Sequence, residues 1–499
     1  MPIGTAVFRR QFARERLDMH RACHQQVRLL SCVQSAYLLL RLSLGCRFVH
    51  LLRALGSTLR VRDGALDPPV AQHDSMQRRT LSALLLRCTD LEARAAADDT
   101  IHPQRIFRQA ALPPSSGGVG LACADAVCES AFIAGVCTCL QYIARHARVM
   151  HAPRMGVDAR YPLFDELRMA VARHSVQTGS APVSLSDLLS ASPVPPQRVL
   201  AEGVWRQRRL AVLAEQIDPR QRSRVVSCGG PDAGAWLLCM PTTCRLSAPS
   251  SLYRLALCMR LGVGIPELSP VGPAVVECRG CGAAHDPCGF HPSHCRSGNR
   301  DSLYTVRHDS LQTVLIWCFR RVGLAARAVG RTRLFGTAGW TADMGYLYAD
   351  IQVPNYRTPG RSLYIDVAVT CPARRSALTA RPSAADMACV AARMRSDEKH
   401  RHYDAAVRAV GGEFRAGVVE RFGACSDDML AILRIIAGDA DRDLMDADDW
   451  YFTAPSQRSY YSQHVVFSAV IADAQMVDSA AGLDGVDEGA RLRDGRRAG

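Results

Sequence analysis

Apolar residues recur at helical spacing early in the chain, through Val27, Leu30, Tyr37, Leu38, Leu42, Phe48, Leu51, Leu52 and Leu55. This pattern predicts an all-helical region over residues 1–150. A loop at Leu112-Pro113-Pro114-Ser115-Ser116-Gly117-Gly118-Val119-Gly120-Leu121 precedes a helix from about Cys123 to Arg148. The most apolar stretch, Leu29 to Leu55, is interrupted by Arg41, Arg47 and Arg53 and reads as buried helix rather than a membrane span. Residues 151–275 read as a helical linker broken by Pro-rich stretches such as 191–196, with one helix near Leu252–Leu261 stopping at Gly262.

From residue 300 the pattern changes to mixed α/β. A helix over 305–324 places Leu311, Val314, Leu315, Cys318 and Val322 on one face. Two strand-like runs follow, Leu347–Val353 and Ser362–Thr370, joined by the turn-rich 354–360. In the second run Leu363, Ile365, Val367 and Val369 alternate with Tyr364, Asp366 and Ala368, which puts Asp366 on the face opposite the apolar stripe. A helix over Ala384–Val410 and a strand over Glu413–Glu420 complete this region. The expected organisation is multidomain: helical 1–150, linker 151–275, a Cys/His knuckle at 276–297, an α/β domain at 300–425, and a C-terminal extension 426–499. Its Gly-, Asp- and Arg-rich end, from about Gly482, is expected to be disordered.

The N-terminus lacks the apolar core of a secretory signal, so an intracellular, membrane-free protein is expected and the twenty cysteines read as reduced thiols. Cys32, Cys46, Cys137 and Cys139 are expected to be core thiols on apolar helices. A formal charge of +14 favours a polyanionic partner, DNA or RNA, although biased codon usage also enriches arginine. Of 61 Lys plus Arg residues only one is lysine, Lys399. Arginine replaces lysine on most surfaces but not where a compact or titratable amine is needed, so a lone lysine is a candidate for a chemical role. With no Gly-Lys-Ser/Thr anywhere, a Walker-type phosphate loop is excluded.

Two constellations carry chemistry. Seven Cys/His residues fall within the eighteen positions 278–295. Cys278-x2-Cys281 can present two thiolates to one Zn²⁺ from a tight turn, with His291 and Cys295 completing a tetrahedron. His285, Cys288 and His294 share the window and leave the third and fourth ligands open. The second constellation is Asp350, Asp366 and Lys399. Two carboxylates on neighbouring strands suit Mg²⁺ or Mn²⁺, and a nearby lysine can position water and offset phosphate charge. A lone strand aspartate is usually a solvated side chain; the hairpin and the unique lysine reverse that expectation. Gly117 to Gly120 reads as a loop rather than a phosphate cradle, and the acidic run 439–449 as a solvated loop.

From about residue 15 to 425 the chain resembles the C-terminal part of a non-LTR retrotransposon polyprotein of the class carrying a restriction-like endonuclease. The resemblance rests on Gln34–Arg41, the 112–121 loop, Arg260-Leu261-Gly262, the Cys/His knuckle, Arg307-His308-Asp309, Ala349-Asp350, Ile365–Val369 and Glu398-Lys399 with Tyr403. It implies a thumb-like helical region, a zinc knuckle and a restriction-endonuclease-like α/β domain. In that domain Asp350 and Asp366 would bind metal, Lys399 would be catalytic, and Arg307 and His308 would lie near DNA. Ala349 stands where the family often has proline, His402 where some members carry a second lysine, and the polymerase palm is missing. The resemblance therefore implies a nuclear, metal-dependent DNA endonuclease that nicks target DNA, possessing no polymerase activity of its own and touching element RNA as a further partner. The alternative is a catalytically inactive nucleic-acid-binding remnant. Oligomeric state and target sequence are not legible.

Overall fold

Thr5 opens the first helix by accepting the Phe8 N–H at 3.3 Å. Helix α1 (Ala6–Leu29) then buries Ala13, Leu17, His20, His24 and Val27, in alternating steps of four and three that keep one face inward. The computed structural model describes residues 5–61, 67–86, 103–146, 162–181, 184, 187–188, 197–265, 268, 276–278, 281–293, 295, 301–329, 349–438 and 453–481. They divide into two compact units, Met1–Glu215 and Gln216–Gly499, a division that runs through the segment read as the linker.

The first unit is helical, as its periodicity predicts, but the long apolar run is not one helix. Leu29 and Leu30 emerge to solvent, and the chain restarts at α2 (Val33–Leu38), where Cys32 Sγ accepts the Ser35 N–H at 3.4 Å. A π-helical turn, Leu39–Leu44, leads into α3 (Gly45–Leu55). Among the described residues there follow α4 (Pro69–Leu86), α5 (Pro103–Ala111), α6 (Ala124–His146), α7 (Pro162–Thr178) and α8 (Gln197–Ala214). Phe132, Ile133, Val136 and Cys137 of α6 pack on Phe164, Leu167, Ala170 and Val171 of α7. Of the four thiols assigned to the core, Cys137 is buried and Cys32 is a half-buried cap, whereas Cys46 and Cys139 are exposed.

The 112–121 segment is a closed turn. Val119 and Leu121 N–H both donate to the Ala110 carbonyl, and the Tyr37 hydroxyl donates to the Val119 carbonyl at 2.7 Å. A Cβ on Gly118 would stand 2.0 Å from the Leu112 carbonyl oxygen. Glycine is thus required there for close backbone packing, not for phosphate binding.

The second unit begins with α9 (Pro219–Cys228) and α10 (Ser250–Leu261), which cap each other. Arg260, fully buried, donates to the Cys228 and Ala233 carbonyls at 2.7 and 2.8 Å, and buried Arg224 donates to the Arg260 carbonyl. Each guanidinium therefore sits at the negative end of the other helix. The predicted stop is observed: Gly262 takes φ +67° and closes α10.

Then come α11 (Asp301–Arg321), β1 (Arg327–Ala328), β2 (Ile351–Val353), β3 (Leu363–Thr370), α12 (Arg375–Ala380), α13 (Val390–Ala409), β4 (Glu413–Glu420), α14 (Asp427–Ala437) and α15 (Gln457–Ala481). The four strands form one mixed sheet in the order β1-β2-β3-β4, antiparallel through β3, with β4 parallel to β3. Ile351 faces Ile365, and Asp366 faces Ala416. Residues 347 and 348 of the expected first strand lie outside the described residues.

Asp366 was expected on the face opposite the apolar stripe. It is on that face, but the face is covered: α13 packs Tyr403, Val407 and Ala392 against Tyr364, Phe414, Ala416 and Val418. On the other face Met429 of α14 approaches Gly417. Parallel strands are commonly buried on both faces, here by the crossover helix α13 on one side and α14 on the other, and that is why the alternation misleads. No described helix is long and apolar enough to cross a membrane.

Candidate functional site

Asp350 stands just before β2, and its backbone is held from three directions. Its N–H donates to the Ile365 carbonyl at 3.0 Å, while its carbonyl accepts from Val329 N at 3.0 Å and Gln312 Nε2 at 2.6 Å. The carboxylate accepts the Val367 N–H at 2.6 Å and lies 3.0 Å from His308 Nε2 of α11. Asp366, on β3, hydrogen-bonds to Asp350 through its own carboxyl group and pairs with the Lys399 ammonium from α13. The sheet hairpin supplies both acids and the crossover helix supplies the lysine.

Lys399 belongs to the buried face of α13, with Ala392, Ser396, Tyr403 and Val407. Only 6% of it is exposed, so an ammonium is held in the interior and needs a counter-charge. The carboxyl group of Asp366 is pushed up to about 7 by burial and by the Asp350 carboxylate beside it, with Lys399 acting in the opposite direction. Asp350 is held below the usual carboxylate range: burial opposes ionisation, but hydrogen bonds with His308, Asp366 and the Val367 amide outweigh it. His308 is raised to about 9, chiefly by its hydrogen bond to Asp350. Burial and the two aspartates also push the Tyr403 phenol upward. The negative charge on Asp350 thus meets His308 directly and Lys399 across the Asp366 carboxyl group.

A groove of ≈ 690 Å³ lies next to this site between α11 and the α12–α13 segment, with the outer half of β3 as its floor; Asp350, Asp366 and Lys399 are not among its lining residues. His308 and Val367, both bonded to Asp350, lie on its wall.

The resemblance placed Arg307 and His308 together near DNA. Both line the groove, but their side chains have different partners. His308 faces Asp350, whereas Arg307 is 7% exposed and commits its donors to Asp473 Oδ1 at 2.7 Å and to the Ser293 and Val369 carbonyls at 3.3 and 3.5 Å. Arg307 borders the groove but acts as a structural cation. Its partner Asp473, on α15, gave no sequence signal, because a single aspartate in a long helix 166 residues downstream looks like surface. The groove-facing side of α13 could have been found: Ala391, Met394, Glu398 and Arg401 recur at steps of three, four and three, with Arg395 beside them.

Cys278, Cys281, His291 and Cys295 form the second cluster, with their ligand atoms all within 4.8 Å of one another. The Cys278–Cys295 and Cys281–Cys295 sulfur separations are both 3.6 Å, and Cys281 Sγ lies 3.3 Å from His291 Nε2. The edges of a tetrahedral zinc site with ordinary bond lengths are about 3.5–3.8 Å, so this quartet can hold one zinc ion. Local bonds build it: Cys278 N–H donates to the Ala283 carbonyl at 2.8 Å, and Gly282 turns the chain at φ +70°. Asp286 accepts the Phe290 and His291 amides at 2.8 and 2.6 Å, which fixes the turn carrying His291. Of the other candidates, Cys288 turns away and accepts from Gln221 Nε2 at 2.9 Å. His285 packs edge-on to His291 with ring centroids 5.5 Å apart, outside the ligand quartet. His294 lies outside the described residues, as does the acidic run 439–449.

No known protein family matches this sequence, and no curated protein is significantly similar to it.

Proposed function

We propose that this chain is a metal-dependent DNA endonuclease of the restriction-like type, derived from a non-LTR retroelement polyprotein and carrying no polymerase activity of its own. The observation that carries the reading is the chain's only lysine, buried against Asp366 where that carboxyl group meets Asp350. The α-β-β-β-α-α-β succession from α11 to β4, with β4 parallel to β3, is compatible with a restriction-like core to which the short helix α12 is added. The knuckle reads as a structural zinc module of the same unit.

The donor set fits a hard divalent cation. Two adjoining carboxyl groups meet in a largely buried site, and a cation of the Mg²⁺ or Mn²⁺ type would be held by Asp350 and Asp366. Such an ion, when bound, supplies an activated water and offsets the charge that develops on the scissile phosphate. His308 orients Asp350 through the 3.0 Å contact. Lys399 brings a compact positive charge beside Asp366, where it can orient the attacking water and stabilise a phosphorane-like transition state.

The test is nicking of supercoiled plasmid in Mg²⁺ or Mn²⁺ by the full chain and by Asp366→Ala, Lys399→Ala and Lys399→Arg. The parent should nick, all three variants should lose at least about a hundredfold in rate, and DNA binding should persist. Cutting by Asp366→Ala at the parent rate would refute the site. Binding without cutting by the parent would leave the inactive nucleic-acid-binding remnant as the correct reading.

A further inference from the structure

The groove beside the acid pair has a composition that the two carboxylates and the lysine do not explain. Among the described residues its wall carries Arg307, Arg374, Arg395 and Arg401 against one carboxylate, Glu398. Arg307 is committed to Asp473, and Arg395 pairs with Glu398 at 2.7 Å. Arg374 and Arg401 are exposed at the rim. Small side chains line the groove, Ala368 of β3 on the floor and Ala377 of α12 and Ala391 of α13 on the wall.

Size decides what enters. At ≈ 690 Å³ the groove is in the range of sites that hold one small molecule. That is room for one or two nucleotides, and a double helix, which spans both strands and their grooves, is far too wide to reach the floor. A positively rimmed slot that tracks a backbone, with apolar surface for bases, is the general form of a single-strand site. Tyr304 and Met394 supply that surface on opposite walls.

We infer that the groove binds a single nucleic-acid strand, with Arg374 and Arg401 holding the phosphates that flank the one presented to Asp350 and Asp366. This rests on the nuclease reading for what happens to the strand, but not for its binding. A duplex substrate would then have to open locally, and already unpaired or mismatched DNA would be engaged most readily.

Full-length protein without added divalent metal, and its Arg374→Gln and Arg401→Gln variants, would be titrated by fluorescence anisotropy. The probes are short oligothymidylate, oligouridylate and a duplex of equal length, across a salt series. Each substitution should weaken single-strand binding about tenfold and reduce the salt slope by about 0.7, the value for one phosphate contact on a single strand. The ratio of the two homopolymers shows whether DNA or RNA is the better occupant, and a preference in either direction supports a single-strand groove. Unchanged single-strand affinity in both variants, or a duplex bound as tightly and with the same dependence on the two arginines, would overturn it. A parent that never nicks but shows these losses removes the nuclease reading and keeps the groove. A parent that nicks while both arginine variants bind and cut normally does the reverse.

Discussion

Replacing Asp473 by asparagine removes one charge from the interior and almost no volume. Asp473 is fully buried on α15, lies 2.7 Å from Arg307 Nη1, and is 3.0 Å from Nε of Arg421, which is itself buried. The Arg421 approach is an ion pair without hydrogen-bond alignment, so what Arg421 takes from Asp473 is charge. That guanidinium has directed bonds elsewhere, to the Gly289 carbonyl at 3.1 Å and Ser293 Oγ at 2.9 Å. The amide would leave two buried cations with no carboxylate between them.

Breaking a buried pair costs about 3–5 kcal/mol, mostly through the stranded charge. With two cations stranded and the carbonyl contacts of Arg421 and Arg307 softening the loss, about 4 kcal/mol is expected. For a unit of this size that lowers Tm by roughly 8–15 °C. Calorimetry of the full chain reads it directly, with Asp165→Asn as the control. Asp165 pairs with Arg168 at 2.6 Å on the surface, 65% exposed, and its loss should cost under about 0.5 kcal/mol. An Asp473→Asn protein melting within a degree or two of the parent would show that the network contributes little, and the account of Arg307 as a structural cation would fall with it.

Three further outcomes follow from the geometry. The purified chain should hold one zinc that Cys281→Ser releases to a chelator far more readily, while Cys288→Ser retains it, since Cys288 faces Gln221; metal analysis after dialysis distinguishes the two. His24, 1% exposed and lowered to about 3 by burial and by nearby His73 and Arg28, must be neutral to stay packed. Its stabilisation is complete above the unfolded value of about 6.5 and is lost as pH falls from there towards 3, so a His24→Leu variant should show a flatter Tm profile across that acid window. Gly262→Ala should cost about 1–3 kcal/mol by thermal unfolding, because φ is +67° and the new Cβ would stand 2.5 Å from the Arg224 guanidinium; Gly323→Ala, also at positive φ but with open space around it, should cost less.

Local pattern found most of the elements and pointed to the residues that the fold gathers into the two clusters, and failed where burial depends on partners distant in the chain. The bounds Glu413–Glu420 and the stop at Gly262 came from propensity and turn chemistry, which are local. The hairpin was equally visible, because Ile351–Val353 and Leu363–Thr370 flank a turn rich in Pro and Gly. What alternation could not reveal was that α13 covers the second face of β3. A polar residue on that face looks solvated until the crossover helix is in place. The break at Leu29–Leu30 was hidden for the opposite reason: two exposed leucines continue a helical period that the backbone does not follow. In the knuckle, spacing admitted several ligand sets, and only the backbone turns held by Asp286 and Gly282 select among them.

The proposed chemical role of Lys399 and a merely structural one make different demands on the residue at position 399. Among the described residues of the second unit the buried cations are Arg224, Arg260, Arg307, Arg421 and Lys399. The four arginines each spread their donors over carbonyls, hydroxyls or Asp473, a task for which a planar fork of five N–H groups is suited. If Lys399 merely neutralised Asp366, arginine would serve equally well, and this sequence uses arginine at every other basic position it contains. Lysine persists where the counter-ion is a carboxyl group already joined to a second one, in a space bounded by the Tyr403 ring and the sheet. A compact ammonium can stand beside that pair and still leave its oxygens free for another ligand, whereas a guanidinium would occupy both oxygens of Asp366 in a bidentate clasp. The one position at which this chain departs from arginine is therefore the position at which a clasp would close the site.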